Sequence, residues 1–164
     1  MKPATSAAPR VLPPGFLLRR VTSADGEALA GFYRGFEPKG ASLGLPPHKK
    51  PERWLATLAP FPNFLVFSKG KIVAHAVLCP EGDAGEVAVF VGQEHRGRGL
   101  GRCLMSELVE EARRLGLRRV WGLTEFDNIP MRRLARSLGF VAGKDPYEFT
   151  LDLERAAFRQ PRAA

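Results

Sequence analysis

Apolar and polar positions along this chain fall into blocks with the two periods expected of strands and helices. Phe16 to Val21 is a first apolar run with strand character. Thr22-x-x-Asp25 then has the form of a capping box and opens a helix with apolar positions at Leu29, Phe32, Tyr33 and Phe36. Glu37 to Pro47 breaks the pattern with Gly and Pro and is predicted as loop. Pro51 to Ala59 predicts a short helix, with Pro51 suited to its start. Asn63 to Ser68 and Lys71 to Cys79 are apolar strands around a Lys69-Gly70 hairpin turn. A second turn, Glu81 to Gly85, leads into the alternating strand Glu86 to Val91. Leu100, Cys103, Leu104, Leu108, Ala112 and Leu115 then form one apolar helical face, ended by Gly116, with Glu107, Glu110, Glu111, Arg113 and Arg114 largely opposite. Arg119 to Leu123 is a short apolar segment. A last helix opens at Asp127-Asn128, takes Pro130 in its first turn, and buries Met131, Leu134, Ala135 and Leu138. Tyr147 to Leu153 alternates again as a final strand. This order predicts an α/β (α+β) fold, a mixed sheet with helices on both faces.

Length and composition narrow the picture. A chain of 164 residues is read as one domain, large enough to bury a core. The domain is expected over residues 16–153, between an Ala- and Pro-rich tail at 1–15 and a basic tail at 154–164. No apolar run approaches the ~18 residues of a membrane span. The N-terminus lacks a hydrophobic signal core, and the two cysteines, Cys79 and Cys103, make no disulfide framework. A reducing, cytoplasmic setting is therefore expected, with Cys103 as core filler. A net charge of +8 favours anionic partners. The basic residues are scattered in pairs such as Arg19-Arg20, Lys49-Lys50 and Arg132-Arg133, aromatics are sparse, and no nucleic-acid motif appears. These features read as a solvated surface and disfavour nucleic acid. No metal is expected, and monomer and dimer are both compatible with the residues.

The chemistry concentrates in Arg96-Gly97-Arg98-Gly99-Leu100-Gly101, a glycine-rich turn between the Glu86 strand and the Leu100 helix. Such a turn leaves several N–H groups converging at a helix N-terminus, where the helix dipole adds positive potential. Glycine lets the main chain approach a ligand without a Cβ between them. The turn is thus a candidate phosphate or pyrophosphate cradle. It is neither a dinucleotide fingerprint, since the sixth position counted from Gly97 is Arg102, nor a P-loop, since Gly-Lys-Ser/Thr is absent. Arg96, Gly99 and Gly101 instead fill the Arg/Gln-x-x-Gly-x-Gly/Ala motif. Downstream, Asn128-Ile129-Pro130-Met131-Arg132-Arg133-Leu134 and Leu138-Gly139-Phe140 follow in order. On these motifs the chain resembles the GNAT superfamily of acetyltransferases over Phe16 to Leu153. Within it, Glu86-Val-Ala-Val, the Gly-Leu-Gly-Arg turn and the Met131 to Ala135 segment look most like bacterial protein-lysine acetyltransferases of the Pat type.

The resemblance implies a fold and a reaction. The fold is a mixed central sheet of about six to seven strands flanked by helices on both faces. The reaction is acetyl transfer from acetyl-CoA to a primary amine, with a protein lysine as the preferred acceptor. A small-molecule or N-terminal amine, or a non-catalytic CoA-binding sensor, are the alternatives. The cradle is assigned to backbone N–H groups from Gly97 to Arg102, with charge from Arg96, Arg98 and Arg102. In this fold the strand before the turn parts from its neighbour, and the pantetheine arm pairs with the exposed main chain. The matching residues are Val89, Phe90 and Val91, one of whose amides would face the thioester and be worth roughly 10²- to 10³-fold in rate. Asn128 either orients the coenzyme or caps its helix. Glu86 is the expected general base. An acidic residue heading an apolar strand is costly unless exposed, paired or used, and a partly buried carboxylate can take the proton that an ammonium must lose before attack. His75 is the second choice, well below Glu86, because a lone histidine in a strand is more often structural. Many members carry a proton-donating tyrosine where this chain has Ala135, a departure that Pat-type sequences commonly share. Tyr147 is the one tyrosine that could approach from the final strand. The Glu37 to Pro47 segment is expected to shape the acceptor pocket.

Overall fold

Two tight turns fold the second to fourth strands into an antiparallel meander, to which the first strand adds at the edge. A computed structural model describes residues 12–40, 46–47 and 49–157. Expectations for 1–11, for the middle of the Glu37 to Pro47 loop and for the end of the basic tail lie outside the described residues. Strand β1 (Phe16–Arg20), β2 (Asn63–Ser68), β3 (Lys71–Glu81) and β4 (Ala84–Val91) pair antiparallel in order. Two-residue turns make this possible: Lys69 and Gly70 both take positive φ between β2 and β3, as does Gly82 before Asp83 between β3 and β4. Helix α1 (Gly26–Arg34) and α2 (Pro51–Leu58) interrupt β1 and β2. The second half alternates: α3 (Leu100–Arg114), β5 (Arg119–Leu123), α4 (Ile129–Ser137), β6 (Val141–Ala142), β7 (Glu148–Asp152) and α5 (Leu153–Ala157). The sheet has seven strands in the order β1-β2-β3-β4-β5-β7-β6, and only β4 and β5 run parallel.

Alternation along the strands separates two cores. Val66, Ala76, Leu78, Val87 and Val120 pack under Leu100, Leu104, Met105, Leu108 and Ala112 of α3. On the other face Leu65 and Phe90 meet Leu29, Tyr33 and Phe36 from the α1 side, with Trp54 of α2 against them. Strand β4 shows the division residue by residue. Val87, Val89 and Val91 join the α3 core, whereas Ala88 and Phe90 join the α1–α2 core.

The observed elements correct several expectations. Strand β4 begins at Ala84, because Gly82-Asp83 alone makes the turn that was expected to span Glu81 to Gly85. Leu115 is exposed beyond the end of α3, while Met105 and Val109, on no expected face, are buried. The final strand is Glu148–Asp152; Leu153 turns instead into α5, where Asp152 Oδ1 accepts from the main-chain N–H of Glu154 and Arg155. The two-residue β6 was not anticipated. The capping box is present: Thr22 N–H donates to Asp25 Oδ2 at 2.7 Å, and Arg19 grips the same carboxylate through two 2.8 Å bonds.

His75 is structural, as is usual for a lone histidine in a strand, and the second-choice base is set aside. It is wholly buried, with Nε2 at 2.7 Å from Asn63 Oδ1 and Nδ1 at 2.6 Å from the Tyr33 hydroxyl. Asn63 Nδ2 donates to the Leu58 and Phe61 carbonyls, which fixes its Oδ1 toward the ring. The ring must therefore carry its proton on Nε2 and accept the Tyr33 O–H at Nδ1. A neutral ring with both nitrogens engaged is a structural bolt between α1, β2 and β3, not a base. Burial pushes its pKa down to about 3.

A pH dependence follows. In an unfolded chain His75 gains its proton near pH ~6.5. Between there and about 3 the unfolded state binds the extra proton, so the fold loses stability as pH falls through that window, by up to about 1.4 kcal/mol per unit. Urea denaturation at about pH 7 and about pH 4.5 measures the loss. His75→Gln should flatten it, and an unchanged slope would contradict the assignment.

Candidate active site

Strands β4 and β5 pair at only three positions, Ala84 with Arg119, Gly85 with Val120 and Glu86 with Trp121. Beyond them β5 follows β7 and β4 follows β3, so the sheet opens along the second half of β4. The direction of the main chain there can be read from two contacts. Gly92 N–H donates to Val73 O on β3 at 2.9 Å. On the opposite side, a Cβ placed on Gly122 of β5 would lie 3.0 Å from Val87 O. With the two-residue period of a strand, the amides of Val89 and Val91 face the opening and that of Phe90 faces β3.

The turn after β4 closes one end of this opening. Gly97 and Gly99 take φ of +72° and +84°, which side chains with a Cβ rarely adopt. Gly99 is the N-cap of α3 and gives the helix no side-chain cap. The first N–H of the helix with a main-chain acceptor is that of Cys103, on Gly99 O at 3.1 Å. No acidic residue lies in the first turn, and Arg113 and Arg114 lie in the last. The N-terminus of α3 thus presents unpaired donors and unopposed positive potential. Gly101 serves packing: a Cβ there would meet Leu134 Cδ2 at 3.3 Å, so its absence lets α4 come close.

These features share one cavity of about 280 Å³. Its walls contain Val89, Val91, Arg96, Gly97, Gly99, Leu100, Gly101, Arg102 and Asn128, which is every residue expected at the coenzyme site except Phe90 and Arg98. Phe90 is buried in the α1–α2 core, and Arg98 is exposed outside the cavity wall. Met131 and Leu134, read from sequence only as a buried stripe, also line it, as does His95. Their signal was the spacing of Asn128 to Leu134, which turns one side of α4 toward the turn. Asn128 caps α4, its Oδ1 accepting from Met131 N–H at 3.3 Å. Arg102 donates to Ser137 Oγ at 2.6 Å, tying α3 to α4. Arg96 is directed at main chain: Nε donates to Val91 O at 2.9 Å and Nη2 to Glu37 O at 2.7 Å.

Glu86 lies on the other face of the sheet, at the apex where β4 and β5 part. Its carboxyl is half-buried, and its pKa is raised by burial and by the charge of Glu81. Cys79 pairs with it across the sheet; burial and the Glu86 charge push its thiol up to about 11, so it stays a thiol at neutral pH. Ala135 is buried and borders a second cavity of about 300 Å³ together with Thr124 and Tyr147. Tyr147 packs against Phe126 in a tilted contact with ring centroids 4.7 Å apart. Among the described residues no His/Cys/Asp/Glu group could hold a metal ion, and no helix is long and apolar enough to cross a membrane.

The conformational role of the turn is measurable. Gly99→Ala meets open space but must hold a positive φ, so it should cost about 1–2 kcal/mol in urea denaturation. Gly31→Ala, also in open space but within α1, should be neutral or stabilising by up to about 1 kcal/mol. Equal effects would remove the strain argument.

Comparison with known proteins places this geometry. The model of the acetyltransferase (GNAT) family matches residues 29–140. Acetyltransferase PA5475 of Pseudomonas aeruginosa is 37% identical over 86 residues, 52% of this chain and 46% of that protein. The L-methionine sulfoximine/L-methionine sulfone acetyltransferase of Salmonella typhimurium is 46% identical over 56 residues, 34% of this chain and 33% of its own length. Acetyltransferase Pat of Mycolicibacterium smegmatis is 36% identical over 75 residues, 44% of this chain and 22% of that protein. The chain therefore spans less than half the length of these curated relatives. The structure of yncA from Salmonella typhimurium, solved with its cofactor acetyl-CoA, aligns with TM-score 0.69 at 24% identity, covering 92% of this chain and 97% of that one. That likeness shows the fold.

Proposed function

Because the chain belongs to the acetyltransferase (GNAT) family, we propose that it transfers an acetyl group from acetyl-CoA to the primary amine of a small amino-acid-type acceptor. The observation that carries this reading is the cavity in which the uncapped N-terminus of α3 and the opening-side amides of Val89 and Val91 face one space. Its chemistry fits the coenzyme. Unpaired amides at Gly97 to Arg102 suit a diphosphate, and an open strand edge suits an amide-bearing arm that pairs as an added strand. When bound, acetyl-CoA supplies the activated acyl group. Val89 and Val91 hold the extended arm in register through their main chain, and whichever N–H faces the acyl carbonyl polarises it. Glu86, beyond the apex of the opening, accepts the proton that the acceptor ammonium must lose. Its raised pKa makes it a stronger base than an exposed carboxylate.

Two considerations favour an amino-acid-type acceptor. The Salmonella typhimurium relative is named for such substrates. A net charge of +8 attracts a molecule carrying a carboxylate and repels a lysine-rich surface. The protein-lysine acceptor is the second reading, favoured by the similarity to Pat.

Acetyl-CoA at 100 times its Kd should stabilise the fold by about 2.7 kcal/mol. Absence of any thermal shift at that excess would remove the proposal. With acetyl-CoA present, L-methionine sulfone should be acetylated faster than a lysine-containing peptide; the reverse order would favour the second reading. Glu86→Gln should keep coenzyme affinity and lower kcat by roughly 10²- to 10⁴-fold. In the wild type, activity should fall as pH drops through the Glu86 pKa, which burial and the Glu81 charge raise from its ordinary value, because the protonated form cannot accept a proton. Retention of that acidic limb in Glu86→Gln would exclude Glu86 as the base.

A further inference from the structure

We infer that Arg96 is a positioning residue for the acceptor side of the site, holding the start of the acceptor segment against β4, and is not a ligand of the coenzyme phosphates. The inference rests on the reading above. Arg96 stands at the first position of the glycine turn, where a cation would ordinarily be assigned to phosphate. Its guanidinium is used otherwise. Nε donates to Val91 O at 2.9 Å, and Nη2 donates to Glu37 O at 2.7 Å, 59 residues away in sequence. The same group lies 5.7 Å over the Phe36 ring, at the end of the α1 core cluster. Three contacts from one planar group join the end of β4, the last core residue after α1, and the first residue of the loop that leads toward α2.

Two consequences follow from which groups are held. Val91 O faces the opening between β4 and β5, where it would be the next acceptor for a ligand pairing as an added strand. Arg96 occupies it, so pairing with the arm ends at the Val91 N–H and the arm is limited to the Val89 and Val91 positions. Glu37 O, in turn, lies at the start of the α1–α2 connection. Gly40 N–H donates to Pro46 O at 3.2 Å within the α1–α2 connection, and Lys39 Nζ donates to Arg34 O at 2.6 Å at the end of α1; neither reaches the sheet. Among the described residues of Glu37 to Gly40, the Arg96 bond is the hydrogen bond that ties the segment to the sheet. The fork geometry matters, because a single ammonium on a flexible stem does not hold two carbonyls and an aromatic face in one plane.

Arg96→Lys and Arg96→Gln separate the two roles. Lys keeps the charge and loses the fork; Gln loses both. A positioning role predicts that both variants raise the KM for the acceptor by about tenfold or more, the effect of losing a charge-assisted hydrogen bond, while the calorimetric Kd for acetyl-CoA changes less than about threefold. The acceptor is whichever of L-methionine sulfone and a lysine-containing peptide the wild type acetylates. Hydrogen exchange at the Gly40 amide, which needs no acceptor, should accelerate about tenfold or more in both variants. A phosphate ligand predicts the opposite: Kd for acetyl-CoA rises in Arg96→Gln, is restored in Arg96→Lys, and exchange at Gly40 is unchanged. That pattern in an active wild type overturns this inference and leaves the proposed function intact. A wild type that fails to bind acetyl-CoA overturns the proposed function and this inference with it.

Discussion

A sheet that stops pairing halfway along one strand creates an obligation: the exposed N–H and C=O groups must find partners in water or in a ligand. Strands β4 and β5 part after three residue pairs, and most of the remaining site is arranged around that parting. Gly122 allows the last close approach, with Val87 O against its Cα. Phe149, from β7, then fills the space that a side chain at Gly122 would need. β5 stays paired to β7 and β4 to β3 while the pairing between β4 and β5 ends. The α3 N-terminus closes this wedge at one end and Glu86 marks the other. Under the proposed function, an arm completing the broken ladder would run from the α3 N-terminus toward Glu86.

Charge is distributed consistently with that layout. The cradle holds no acidic residue in the first helical turn, and the helix carries its cations at the far end, where the dipole favours them. On the opposite face of the sheet the one half-buried carboxylate of β4 is Glu86, and its neighbour Cys79 remains a neutral thiol. His75, close enough in sequence to compete for the role of base, is instead spent on the Tyr33 and Asn63 bonds that fasten α1 to the sheet. That rigid floor lies beneath Phe90, stacked on the His75 ring, so the strand carrying the opening is supported from below.

The glycine turn, the Glu86 strand and the Asn128 helix were legible because each depends on local rules: alternation, helical spacing, caps, and glycine where φ is positive. The β2–β3 hairpin was legible for the same reason. What was hidden depends on tertiary placement. β6 is too short to leave a pattern. Leu115 looked like a core position by spacing, but α3 ends at Arg114 and its side chain lies past the sheet, whereas Met105 and Val109 widen the buried face. The lone histidine on β3 read more readily as a structural residue than as a base, but its two partners, 42 and 12 residues away, could not be named from the sequence. Which of the Val89, Phe90 and Val91 amides faces outward depends on the register with β3, and no residue type encodes it. The direction of the Arg96 side chain is hidden in the same way, since its second partner lies 59 residues earlier in the chain.

Main-chain amide NMR of the ¹⁵N-labelled protein during an acetyl-CoA titration tests the central geometry most directly. Occupancy of the wedge should perturb the Val89 and Val91 amides together with those of Gly97 to Arg102 and slow their exchange with solvent, while the Phe90 amide, already bonded within the sheet, keeps its protection. Saturable binding that leaves Val89 and Val91 unperturbed would contradict the view that the broken ladder is where the coenzyme arm is held.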